Sequence, residues 1–114
     1  MYRKLDAVAC IGNITLDHLF FVDSFPQIDD VSYVNRYMNC IGGRGGLVAY
    51  ILAALGIKTY LCTTIGGKTP TSILDFFRNS GVDISGIEKD NSNESVFEVF
   101  VTISREHQNC TSLF

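Results

Sequence analysis

No apolar run in this chain of 114 residues approaches the roughly 18 residues that a membrane-crossing helix needs. The longest candidates are Leu47 to Leu55 and the interrupted Leu16 to Val22, which argues against a membrane span. Charge is scarce too: 18% of residues are charged, and nine basic against twelve acidic side chains give a net charge of −3. Binding nucleic acid by phosphate neutralisation needs an excess of Lys and Arg, so DNA and RNA are not expected partners. The four cysteines, Cys10, Cys40, Cys62 and Cys110, form no C-x-x-C pair and have no histidine at metal-ligand spacing. They read as small buried hydrophobes in a reducing compartment, with no metal site. The apolar stretch Ala7 to Ile11 behind the basic N-terminus is too short for a signal peptide and lacks a cleavage site, so a cytoplasmic location is expected. The N-x-S/T sequons at Asn13, Asn93 and Asn109 are then coincidental. Internal repeats and low-complexity segments are absent.

What is present suffices for one buried core, with 46% apolar and 11% aromatic residues. Ala7 to Ile11 is a continuous apolar run closed by Gly12-Asn13, the pattern of a strand buried on both faces in a parallel sheet. Leu16 to Val22 and Ser32 to Cys40 are rich in β-branched and aromatic residues around a turn-rich stretch, and predict two strands of a subsidiary sheet. Gly42-Gly43-Arg44-Gly45-Gly46 opens a helix that continues through Leu47 to Leu55, with Gly56 at its C′ position. That helix is apolar almost all round, which predicts burial.

Lys58 to Thr64 predicts a second core strand, completing a βαβ unit with an insertion. Thr69 is placed to cap a second helix, with Pro70 in its first turn, an inward stripe of Ile73, Leu74, Phe76 and Phe77, and Gly81 at its end. Val82 to Ile87 reads as a short strand or turn, residues 90–94 as a polar loop and Val96 to Ile103 as a strand. Residues 109–114 begin a further one. Two core strands are too little parallel sheet to bury both helices, so the chain reads as truncated.

The glycine cluster at 42–46 is the strongest chemical feature. Glycines let a backbone approach a ligand closely, and a helix N-terminus offers N–H donors and a positive dipole end. A structural reading, a tight turn with close helix packing, stands beside it. The dinucleotide fingerprint G-x-G-x-x-G fails because its third position would be Val48. Gly67-Lys68-Thr69 mimics the end of a phosphate-binding loop, but the required first glycine would be Cys62 and Pro70 follows at once, so a βα turn is the better reading. Asp17 follows the first strand closely, near the end of the sheet where open α/β folds bind ligands, and a carboxylate suits vicinal sugar hydroxyls. A solvated surface Asp is the competing reading. His18 and His107 have no partner at catalytic spacing, and no Ser or Cys stands in a nucleophile-elbow context.

Ile11-Gly12-Asn13-Ile14-Thr15-Leu16-Asp17, Val22-Asp23-Ser24-Phe25-Pro26, Gly42-Gly43-Arg44-Gly45-Gly46-Leu47-Val48-Ala49, Ala54-Leu55-Gly56 with Gly66, and Gly81-Val82-Asp83 together resemble the PfkB, or ribokinase-like, family of carbohydrate kinases. The resemblance covers Ala7 to about Phe114 but only the first third of a usual member. It implies an α/β fold, a ribokinase-like parallel sheet with flanking helices and a small β lid, here truncated. The implied activity is transfer of the γ-phosphoryl group of ATP, with Mg, to a sugar or nucleoside hydroxyl. Residues 1–114 would then be the N-terminal, substrate-side part of such a kinase domain. Lid segments fall at about 18–40 and 95–114, and a homodimer through the lid strands is possible in such enzymes.

By the same resemblance, Asp17 corresponds to the aspartate that binds substrate hydroxyls, Thr15 to a nearby polar contact, and Gly42 and Gly43 to the glycines against which the substrate lies. Two positions depart from the pattern. Leu47 stands where the family carries an asparagine that exchanges hydrogen bonds with substrate, and Lys68 stands where an aspartate is usual. The family's base and anion hole sit in a late Gly-Ala-Gly-Asp type motif, and its ATP site lies in the C-terminal half. This sequence contains neither. No catalytic residue is therefore assigned, no ATP or Mg binding is expected of the chain alone, and the chain is expected to be inactive alone. The alternative is a non-catalytic remnant acting as a small-ligand-binding or oligomerisation module.

Overall fold

The computed structural model describes residues 4, 6–92 and 97–103, with backbone only at 97–100. Its strands and helices, in chain order, are β1 (Val8–Ile11), β2 (Thr15–Val22), β3 (Val34–Gly42), α1 (Arg44–Ala54), β4 (Thr59–Gly66), α2 (Thr71–Asn79), β5 (Val82–Asp83), β6 (Ile87–Asp90) and β7 (Phe97–Ile103). They divide into two compact units. The first holds residues up to 15 and from 42 to 92, and the second holds residues 16–41 and 97–103.

In the first unit β1 and β4 pair in parallel from Val8 opposite Thr59 to Ile11 opposite Cys62. The other side of β4 is shared: Thr59 and Tyr60 pair with β5, and Thr63 to Gly66 pair with β6, both in parallel. All four strands therefore run one way, as the βαβ connections through α1 and α2 require. Cys10 and Leu61 face each other in register and are buried, at 8% and 0% exposure. Their neighbours on the opposite face, Ala9 and Ile11, are exposed, Ile11 at 86%. The first strand is thus buried on one face, not two, because among the described residues no layer covers the second face.

The helices touch each other through Tyr50 and Phe76, stacked with centroids 5.4 Å apart, and Phe77 meets Phe76 edge-on at 5.3 Å. Ile73 and Phe77, four apart on α2, are the buried pair, at 3% and 1% exposure. Leu74 and Phe76, also expected to point inward, are only half-buried. α1 departs further from expectation. Gly45, Gly46 and Ala49 are buried, but Leu47, Val48, Ile51 and Leu55 are 46–71% exposed. An all-round apolar helix needs partners all round, and the described residues supply them on one side only.

Both helices end on glycine, as expected. Gly56 has φ +80°, its N–H reaches the Ala53 carbonyl at 2.9 Å, and the Ile57 N–H reaches the Leu52 carbonyl at 3.0 Å, closing a Schellman motif. Gly81 has φ +86° and its N–H reaches the Arg78 carbonyl at 3.1 Å. The start of α2 differs from the expected Thr69 cap. Pro70 occupies the N-cap, and its carbonyl accepts the Ile73 N–H at 3.1 Å. A proline one residue earlier than the first helical position moves the start by one, and its fixed φ of −59° suits that role. The stretch expected as one short strand or turn over 82–87 resolves into β5 and β6, and Asp90, expected in a loop, ends β6.

The second unit is a sheet ordered β3-β2-β7. Ser32 Oγ donates to the Ser24 carbonyl at 2.8 Å, Asn35 Nδ2 donates to Asp23 at 2.7 Å, and Tyr37 meets His18 Nδ1 at 2.6 Å. These links ascend on β3 as they descend on β2, so the two strands run antiparallel. β7 pairs with β2 in parallel, from Leu16 opposite Phe97 to Val22 opposite Ile103. The strand expected at 109–114, His107 and Cys110 lie outside the described residues. Of the other cysteines, Cys10 is buried while Cys40 and Cys62 are half-buried, so the expectation of burial holds fully only for Cys10. Among the described residues no helix is long and apolar enough to cross a membrane.

Candidate functional site

The glycine cluster packs the start of α1 against the segment that leaves β1. Gly43 is the helix N-cap, with φ +91° and no side-chain capping bond. A Cβ on Gly43 would lie 2.5 Å from the Asn13 carbonyl oxygen and 2.7 Å from Ile14 Cα. On Gly45 it would lie 2.6 Å from the Gly12 carbonyl carbon, and on Gly46 it would lie 2.7 Å from both Ile14 Cγ2 and Phe77 Cζ. The Gly46 N–H donates to the Asn13 carbonyl at 3.2 Å. Close helix packing, which the sequence left open beside a ligand-cradling role, therefore accounts for Gly43, Gly45 and Gly46. The helix dipole still directs its positive end toward Gly43.

Sequence reasoning did not single out Gly12, Asn13 and Ile14 as the floor beneath this helix start. The available signal was the pairing of a glycine at the end of the first strand with a glycine cluster before the helix, since a backbone-to-backbone approach requires small residues on both sides.

Gly42 ends β3 and is half-buried. Thr15 begins β2 and is buried at 2% exposure. Because β2 and β3 run antiparallel, the first residue of one and the last of the other lie at the same end of that ribbon. No buried side-chain nitrogen or oxygen among the described residues lacks a hydrogen-bond partner, which includes the Thr15 hydroxyl. Asp17 belongs to the second unit, half-buried on β2 and in register with Glu98 of β7. His18 lies on the same strand, its ring 5.9 Å from that of Tyr37, and Phe20 lies 5.1 Å from the same tyrosine. Leu47 is on the first turn of α1 and half-exposed, and Lys68 is exposed in the turn between β4 and α2.

Titration shifts lie away from these residues. Burial, with a smaller contribution from Cys62, pushes the Cys10 thiol up. Hydrogen bonds from the Ser85 side chain and backbone N–H, with Lys58 nearby, hold Asp83 below the usual aspartate range. Lys58 is raised by Tyr60.

Among the described residues no three His, Cys, Asp or Glu side chains come together as a metal-holding group. The Gly67-Lys68-Thr69 turn is closed, with the Thr69 N–H donating to the Gly66 carbonyl at 3.1 Å. Asn91 packs over Gly67, its Cα and Oδ1 each 3.0 Å from the position of a Cβ on that glycine.

A family model described as pfkB family carbohydrate kinase matches residues 5–113. A nucleoside kinase of Methanothermobacter thermautotrophicus is 28% identical over 98 residues, which cover 85% of this chain and 31% of that protein. Among solved structures, the nucleoside kinase of Methanocaldococcus jannaschii, an archaeal member of the ribokinase family, superposes with a TM-score of 0.80 at 20% identity, over 89% of this chain and 34% of that one. The ribokinase of Arabidopsis thaliana, complexed with ribose and ATP, gives a TM-score of 0.74 at 16% identity, over 86% of this chain and 32% of that one. The chain thus spans about a third of the length of the relatives it matches.

Proposed function

Since the chain belongs to the pfkB family of carbohydrate kinases, we propose that its 114 residues supply the substrate-binding side of an ATP-dependent phosphorylation of a sugar or nucleoside hydroxyl. The observation that carries this reading is the family match across residues 5–113, which takes in Thr15, Asp17, Gly42 and Gly43. Asp17 accepts hydrogen bonds from substrate hydroxyls, because an ionised carboxylate offers two oxygens to vicinal donors. Thr15 stands two positions before it on β2, so strand alternation gives both the same side of that strand. The backbone at Gly42 and Gly43 forms the surface on which the substrate lies. ATP with Mg supplies the phosphoryl group in such a reaction. The chain spans about a third of the length of the relatives it matches, and in this reading it binds substrate without itself transferring phosphate.

The test is titration calorimetry of the chain with ribose, adenosine and inosine, alongside an Asp17→Asn variant. Saturable binding to at least one of them is expected, weakened about tenfold or more in the variant, since a charge-assisted hydrogen bond contributes about 1.5–3 kcal/mol. Binding unchanged by the variant refutes the role of Asp17, and phosphoryl transfer by the chain alone refutes the division of labour.

A second reading is favoured by Leu47, whose half-exposed apolar side chain stands where the family's asparagine meets substrate. In it the chain is a non-catalytic module that binds a small ligand or pairs through β2, β3 and β7 as a homodimer. Mass measurement by light scattering, with no binding to any of the three compounds, would support it.

A further inference from the structure

The dipeptide Asn-Ser occurs at Asn79-Ser80 and again at Asn91-Ser92. An asparagine followed by a small residue loses its side-chain amide without an enzyme when the next backbone nitrogen attacks its Cγ, closes a five-membered imide and expels ammonia. A β-branched successor hinders that closure, which sets aside Asn13 before Ile14, and the extended ladder of β3 sets aside Asn35 and Asn39. Asn79 and Asn91 are both exposed, so access to water does not separate them. Their attacking nitrogens are held differently. Asn79 is the last residue of α2, and the Ser80 N–H donates to the Phe76 and Phe77 carbonyls at 3.0 and 3.2 Å, while Ser80 Oγ donates to the Phe76 carbonyl at 2.7 Å. Turning that nitrogen onto Asn79 opens the end of the helix, and a peptide carbonyl is too weak a base to take its proton. Asn91 follows the end of β6 in an exposed turn. There the Ser92 N–H donates to Asp90 Oδ1 at 2.9 Å, and Ser92 Oγ donates to the same oxygen. The acceptor is a side-chain carboxylate, a group that takes up protons.

We infer that Asn91 is a site of self-modification by deamidation, with Asp90 as the base. As the Ser92 nitrogen bonds to Asn91 Cγ, its proton passes to the Asp90 carboxylate. The tetrahedral centre then collapses with loss of the amide nitrogen, which takes the proton back from Asp90 and leaves as ammonia. Water opens the imide to aspartate or isoaspartate. One water is consumed and one ammonia released, with no change of oxidation state. The product sets a second carboxylate beside Asp90. In the isoaspartyl form the backbone also gains a methylene next to the Gly66–Asp90 pairing of β4 and β6, where Asn91 packs over Gly67. The inference is independent of the substrate reading.

The test incubates the full chain at neutral pH, folded and in urea, and follows the conversion of amide to acid at both asparagines by peptide mass spectrometry. In the folded chain Asn91 should convert about tenfold or more faster than Asn79, and Asp90→Asn, which keeps an acceptor oxygen but removes the base, should slow it about tenfold or more. Fragment ions separate position 90 from position 91 in that variant, and circular dichroism confirms that it is folded. In urea the two Asn-Ser pairs should convert at similar rates, since the difference between them is made by the fold. Equal rates in the folded chain overturn the inference. So does a preference for Asn91 that persists undiminished in urea, or an Asp90→Asn chain that converts at the wild-type rate.

Discussion

Replacing Gly45 by alanine sets two effects of opposite sign against each other. Gly45 is inside α1, where alanine is ordinarily favoured over glycine by about 1 kcal/mol. Its added Cβ, however, would stand 2.6 Å from the Gly12 carbonyl carbon, 2.8 Å from its Cα and 2.9 Å from its oxygen, where ordinary contact begins at 3.4 Å. Relief needs a movement of about 0.8 Å, the difference between 2.6 and 3.4 Å, and every atom in the way is backbone. Such a shift lifts α1 from β1 and disturbs the seating of Ala49, which is fully buried. Overpacking of this kind costs about 1–3 kcal/mol, and with rigid backbone opposing it the upper end applies. After the propensity gain the net loss is about 2 kcal/mol, or a fall in Tm of roughly 10 °C for a chain of this size. Thermal and urea melts followed by circular dichroism measure it. Gly56→Ala is the companion variant. Nothing lies within 4 Å of its Cβ position, so its cost of about 1–2 kcal/mol comes from φ +80° alone. Asparagine, which tolerates that conformation, should recover part of the loss at position 56 and none at position 45. A Gly45→Ala protein that melts at or above the wild-type temperature would refute the Gly12–Gly45 approach.

Leu61→Ala removes a side chain with no exposure from the middle of β4, and a loss of about 2–5 kcal/mol is expected in the same melts, against less than about 0.5 kcal/mol for Thr64→Ala on the exposed face. Asp83 is held below the ordinary aspartate value of 3.8 by Ser85 and Lys58, so its contribution to stability is complete above that value and disappears as pH falls through the folded pKa. The wild-type advantage over Asp83→Asn should therefore be present at neutral pH and vanish in acid below about pH 4; a gap that persists in strong acid would assign it to something other than the carboxylate.

The punctuation of the helices was legible locally. Gly56 and Gly81 each take a positive φ after a helix, which is a property of the residue itself and needs no knowledge of neighbours. The pfkB relationship was legible in the same way, because it rests on the order of Gly12-Asn13, Asp17 and the Gly42–Gly46 cluster along the chain. Burial was legible only in part. Ala-Val-Ala-Cys-Ile and the apolar run of α1 both call for partners on every side, yet Ile11, Ile51 and Leu55 remain exposed. An apolar pattern states what a segment can bury, not whether a layer is there to bury it.

The chain order of apolar, glycine and turn residues determined by itself that this protein alternates strands and helices, where its helices stop and which family it belongs to. Only the tertiary structure decided that Gly43, Gly45 and Gly46 lie against Gly12, Asn13, Ile14 and Phe77, and that among the described residues one face and one edge of β1 stand uncovered. The reason is range: a dihedral preference or a hydrophobic period is settled within a few residues, whereas a 2.6 Å approach between Gly12 and Gly45 depends on how two segments more than thirty residues apart are brought together.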